Sequence, residues 1–187
     1  MRKLSLLVAL VTLGLASYGQ DFLGIKPSGS KAITINQFKA KGFWVDGDET
    51  NMLTPMKGRL NGQTIEINIV YSPISKTVCR FSIYLPELPS LNLLKTEYEK
   101  YVDVFTTKYG AASQKNEFFK DPYYDGDGYE LQALENDKAI FTTYWFLNGI
   151  SLAVEISKFK MINIKYENDA NMVLKDAELK QLNINAF

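Results

Sequence analysis

Asn61-Gly62-Gln63-Thr64-Ile65-Glu66-Ile67-Asn68-Ile69-Val70-Tyr71 changes character at almost every residue. Ile65, Ile67, Ile69 and Tyr71 fall on one side of an extended chain. Thr64, Glu66, Asn68 and Val70 fall on the other, which is the period of a half-buried β-strand. The Asn61-Gly62 pair ahead of it is the dipeptide best suited to a type I′ hairpin, because both positions accept positive φ. The strand therefore has an upstream partner, Met56 to Leu60. A second partner, Val78 to Leu85, follows a turn near Pro73 to Lys76. Phe43 to Val45 offers a short first strand.

The same plan recurs downstream. Asn148-Gly149 joins Ala139–Leu147 to Ile150–Ser157, in which Ile150, Leu152, Val154 and Ile156 share one side. Met161–Tyr166 follows and Tyr129–Glu135 precedes, both reading as strands. A helix stands before each meander. Ser30 is placed to cap one that runs to Lys41 and stops at Gly42. Ser90 or Asn92 opens the other, where Leu94, Tyr98, Tyr101, Val102, Phe105 and Tyr109 line one helical face up to Gly110. Asp169 is placed to cap a last helix to Leu182, patterned weakly through Val173, Leu174, Ala177 and Leu182. The fold expected is α+β, built from two tandem units at 21–88 and 89–187. Each is a helix followed by an antiparallel meander of about four strands, with the helices packed on one sheet face. Ala139–Leu147 stands apart because it is apolar on both sides. It is either a central strand covered twice or the lining of an exposed patch.

Location is written in residues 1–20. Arg2 and Lys3 precede an apolar run from Leu4 to Leu15, and Ser17-Tyr18-Gly19 supplies the small-x-small pattern of a cleavage site. A run of about a dozen apolar residues is a signal peptide, too short for a membrane span of roughly 20. Cleavage is expected to leave Gln20 or Asp21 first and the protein periplasmic or secreted. No later segment reaches spanning length.

Composition narrows the chemistry. With 46% hydrophobic residues the 187-residue chain can bury a sizeable core. There is no histidine, so Ser-His-Asp and Cys-His catalysis and histidine zinc sites are excluded. Cys79 is the only cysteine, so no internal disulfide forms. Its strand face, shared with Phe81, Ile83 and Leu85, makes it a buried, inert small hydrophobe. The absence of a basic cluster argues against nucleic acid.

Asp21-Phe22-Leu23-Gly24-Ile25, the Gly29-Ser30 helix cap and Phe38-Lys39-Ala40-Lys41-Gly42-Phe43 resemble a group of exported, uncharacterised proteins of gut-dwelling Gram-negative bacteria. Those proteins resemble in architecture the tandem helix-plus-four-strand fold of the β-lactamase inhibitory protein. The resemblance implies that fold and a binding role. The inhibitor's disulfides have no counterpart here, because Cys79 is alone.

The candidate binding residues are Trp44, Phe119, Tyr123, Tyr124 and Tyr129, most of them in the loop Phe118 to Glu130. Exposed tyrosines and a tryptophan could form a platform for a partner protein or a sugar ring. The same loop carries Asp121, Asp125, Asp127 and Glu130, weak calcium candidates, since hard oxygen ligands suit calcium but the twelve-residue EF-hand frame is missing. Asp-Gly-Asp-Gly is also ordinary turn chemistry. The function expected is a non-catalytic, exported binding or inhibitor-like module with a protein partner and no cofactor. The alternatives are a carbohydrate-binding module and, behind it, a carboxylate glycosidase or a calcium-dependent module.

Overall fold

The computed structural model describes residues 20–184; residues 1–19, which carry the expected signal peptide, lie outside the described residues. The elements run α1 (Lys31–Ala40), β1 (Trp44–Val45), β2 (Leu53–Leu60), β3 (Gln63–Tyr71), β4 (Val78–Tyr84), α2 (Leu91–Tyr109), β5 (Gln114–Phe119), α3 (Glu130–Glu135), β6 (Ala139–Leu147), β7 (Ile150–Ile156), β8 (Ile162–Asn168) and α4 (Asp169–Ile184). All eight strands join one sheet in the order β1-β2-β3-β4-β8-β7-β6-β5. The first and second halves of the chain meet at the antiparallel pair β4–β8, where Phe81 faces Tyr166 and Ile83 faces Ile164.

Local chemistry accounts for most boundaries. The hydroxyls of Ser30 and Ser90 accept the N–H groups of Ile33 and Leu93, which satisfies free donors in the first turns of α1 and α2. Gly110 ends α2 at φ 89°. Asn61 (φ 49°) and Gly62 (φ 83°) both take the left-handed conformation that the β2–β3 hairpin needs. The β6–β7 hairpin differs, since only Gly149 of its Asn148-Gly149 pair has positive φ.

The core lies between one sheet face and α1 with α2. Phe38 of α1 meets Phe43 edge-on at 5.6 Å and Phe81 at 5.1 Å. From α2, Phe105 packs against Trp145 and Tyr166, and Tyr98 packs against Phe141. Buried Leu94, Tyr98, Val102 and Phe105 each contribute on the order of 1.5–3 kcal/mol by leaving water, which holds the helix to the sheet. Polar groups drawn inside are matched: the Tyr98 hydroxyl shares a 2.6 Å hydrogen bond with Thr143, and the Trp145 indole N–H donates to the Gly110 carbonyl.

Two expectations are corrected. Tyr129–Glu135 is not a strand. Residues 130–135 form α3, which turns the adjacent Ala133 and Leu134 both into the core, whereas a strand would send them to opposite faces. The fourth strand of the second meander is instead β5, whose run Gln-Lys-Asn-Glu lacks apolar alternation because it forms a sheet edge. The two unit helices share one sheet face, α1 through Phe38 and α2 through Phe105, but the C-terminal helix does not join them. α4 adds no apolar side chain to the core and is held by polar contacts. Asp169 accepts from the Ser151 hydroxyl, which points away from the core-facing Leu152. The Asn171 amide donates to the Val78 carbonyl, and the Glu178 carboxylate accepts the N–H groups of Ile74 and Ser75.

Candidate functional site

The sheet face opposite the core is laid out by strand register. One row crosses all eight strands: Trp44, Lys57, Glu66, Tyr84, Asn163, Glu155, Thr142 and Asn116, each opposite the next. With strands ~4.8 Å apart, the row spans about 34 Å. Two residues along each strand, Asn68, Ser82, Lys165, Ala153, Tyr144 and Gln114 make a second row. Phe146 and Ser151 continue the same face.

Its charges are matched across strands. Lys57 reaches Asp46 at 2.8 Å and Glu66 at 3.2 Å; Arg80 meets Glu167 at 3.1 Å. Glu155 accepts from Lys165 at 2.7 Å and from the Asn163 amide at 2.8 Å. Burial, reinforced by Glu155, raises the Tyr84 and Tyr144 hydroxyls above their ordinary range, so both stay protonated donors at neutral pH. Among the described residues, the buried side-chain polar atoms without a partner are Arg80 Nε and Asn163 Oδ1, both on this face.

Between the charges stand aromatics. Tyr144 and Phe146 stack at 6.0 Å between centroids, and Phe146 is 59% exposed. Phe159, at the tip between β7 and β8, is 60% exposed and stands between two clefts of about 240 and 530 Å³ that share Tyr84 and Lys158. Of the two alternatives for Ala139–Leu147, the structure takes the second: Phe141 and Trp145 enter the core while Tyr144 and Phe146 line the open patch.

The residues singled out from sequence do not form one platform. Trp44, 48% exposed, lies on the open face at the β1 edge, while the loop after β5 lies at the opposite edge. Within the loop, Phe119 is half-buried against Phe141, and Tyr123 folds onto the core with its hydroxyl accepting from the Asn136 amide. Of the four candidates there, Tyr124 and Tyr129 face solvent, at 66% and 62%. Three of the four loop acids are engaged, while Asp121 is exposed: Asp127 takes the N–H groups of Tyr124 and Tyr129, Glu130 takes that of Gly126, and Asp125 pairs with Lys95. Among the described residues no three acids converge as a metal site would require.

Tyr144 and Phe146 carried a legible signal, the two-sided apolar strand. Phe159 carried none, because one aromatic in a turn has no period. Burial pushes the Cys79 thiol up to about 11, leaving it protonated and unreactive. No protein-family model, curated protein or solved structure matches the chain.

Proposed function

We propose that this chain is an exported, non-catalytic binding or inhibitor-like module that recognises a protein partner through the sheet face opposite the core. The observation that carries the reading is the placement on that face of exposed Phe146 and Phe159 beside half-buried Tyr144, with exposed Trp44 at the far edge, among cross-strand charge pairs. Aromatics set among satisfied charges are the make-up of a recognition surface, and the clefts beside Phe159 could receive a partner's side chains. Pairing of Glu66, Glu155 and Glu167 with Lys57, Lys165 and Arg80 favours shape recognition over carboxylate chemistry, which needs an acid free to act. The leader-like run Leu4 to Leu15 supports export. Each half sets a helix ahead of four sheet strands, with α3 inserted between β5 and β6 and α4 added at the end of the second, an order that supports the tandem-unit reading and with it the resemblance to the inhibitor fold.

The test compares capture from envelope extract by the wild type, by Tyr144→Ala/Phe146→Ala and by Tyr124→Ala/Tyr129→Ala. A hot spot of about 2 kcal/mol means that the sheet-face variant binds its partner ~30-fold more weakly. Equal capture by a folded sheet-face variant overturns the assignment. A glycan-array signal lost only in the loop variant would favour carbohydrate binding instead.

A further inference from the structure

The two edges of the sheet are unlike. β1 is two residues long, and its neighbour β2 contains Pro55, which has no N–H to offer; such an edge templates no long ladder. β5 has six residues, contains no proline and keeps regular register with β6, the only strand beside it among the described residues. The Lys120 N–H donates to the Lys138 carbonyl. In an antiparallel ladder hydrogen-bonded pairs alternate, so Gln114, Asn116 and Phe118 bond to β6, and Lys115 and Glu117 turn their backbone N–H and C=O outward. The backbone of α2 packs over β7 and β8, and α2 reaches β5 through the Glu99–Lys115 ion pair and the Tyr98 ring beneath Lys115.

We infer that β5 is a self-pairing edge: two copies of this chain join antiparallel through β5, with Lys115 of each opposite Glu117 of the other. Parity and charge select this register. Only registers that place outward-turned residues opposite one another complete the ladder. Among those, centring on Lys115 sets lysine against lysine, and centring on Glu117 sets glutamate against glutamate. Centring on Asn116 sets opposite charges face to face twice, which is favourable where like charges are destabilising. Lys115 and Glu117 are both partly exposed and lie 2.9 Å apart within one copy, and Lys115 also reaches Glu99 of α2 at 3.0 Å, so each cross-copy pair would add to charges already matched within a copy. Asn116 ends the open-face row that starts at Trp44, so the join would continue that row into the second copy. The inference goes beyond the recognition reading and does not depend on it.

Sedimentation of the purified chain over a concentration series tests it. Dimer is expected, and Lys115→Glu and Glu117→Lys should each weaken it by ~10-fold or more, since each replaces two opposite-charge pairs by like-charge pairs. An equimolar mixture of the two variants should dimerise again, because each then presents the charges the other lacks; a misfolded variant would not be rescued in this way. Asn116→Cys should crosslink to itself on mild oxidation, since facing Cα atoms in a non-hydrogen-bonded pair lie ~4.5 Å apart, within disulfide reach. Buried Cys79 does not compete. The inference is overturned by a chain that stays monomeric at every concentration, whether or not β5 accepts a strand from another protein. It is overturned equally by a dimer indifferent to both charge variants, or by one in which Asn116→Cys fails to crosslink.

Discussion

Gly58→Ala tests whether close packing at the β1–β2 corner holds Trp44 on the open face. A Cβ at position 58 would meet Phe43 Cδ1 at 2.2 Å and two further ring carbons at 2.5 Å. Ordinary contact begins near 3.4 Å, so the ring must retreat by about 1 Å. It has little room: Phe43 is 4% exposed and meets Phe38 edge-on, and Phe38 is itself fully buried against Phe81. A glycine-to-alanine change ordinarily favours the folded state by about 0.4–1 kcal/mol through the unfolded chain, while overpacking a core costs about 1–3 kcal/mol. The second effect wins, leaving a net loss of about 1–2 kcal/mol, or ~2–8 °C in Tm for a chain of this size. Calorimetric melting and urea unfolding measure it. Adding Phe43→Leu should return part of the loss, with a coupling of at least ~0.5 kcal/mol, because the two positions share one volume. A Gly58→Ala protein as stable as the wild type, or a double variant whose cost is the plain sum, would refute the reasoning.

Other expectations follow from buried polar groups and from the loop. Tyr98→Phe leaves the Thr143 hydroxyl, 0% exposed, without its partner, and should cost ~1–3 kcal/mol in urea unfolding, while Tyr98→Phe/Thr143→Val should lie closer to the wild type. Glu178 is held below the ordinary carboxylate range: burial pushes it up, but hydrogen bonds from Ser75 and Ile74 prevail. A carboxylate lowered in the folded state contributes stability above its unfolded value and loses it as pH falls through the folded one. Amide exchange in α4, corrected for intrinsic rates, should therefore rise between about pH 6 and pH 3, and Glu178→Gln should abolish that dependence. Cys79, buried and with its thiol pushed up to about 11, should resist an aromatic disulfide reagent in the folded state and react fully once unfolded. Melting curves in calcium and in chelator should superimpose, since Asp125, Asp127 and Glu130 already hold Lys95 and loop N–H groups; a rise in Tm with calcium would show that they exchange those partners for the ion.

What the amino-acid order determined by itself was local. The serine caps of α1 and α2, the glycine stop of α2, the Asn61-Gly62 turn and the two-residue period of β3 and β7 depend on neighbours a few residues away. Each is therefore legible in a short window. Only the tertiary structure decided the pairing of β4 with β8, which brings residues about eighty apart into contact and makes one sheet of the two meanders. It also decided which segment forms the polar edge: β5 is a strand because β6 offers it a ladder, and its own side chains state no preference. Residues 130–135 alternate well enough for a strand, yet burying Ala133 and Leu134 together requires a helix. The candidate site divides in the same way. That Tyr144 and Phe146 lie beyond what the core needs is visible along one strand. That they share a face with Trp44, while Tyr124 and Tyr129 gather at the far edge, follows from the register of every strand between them, a property of backbone hydrogen bonds that no single segment carries.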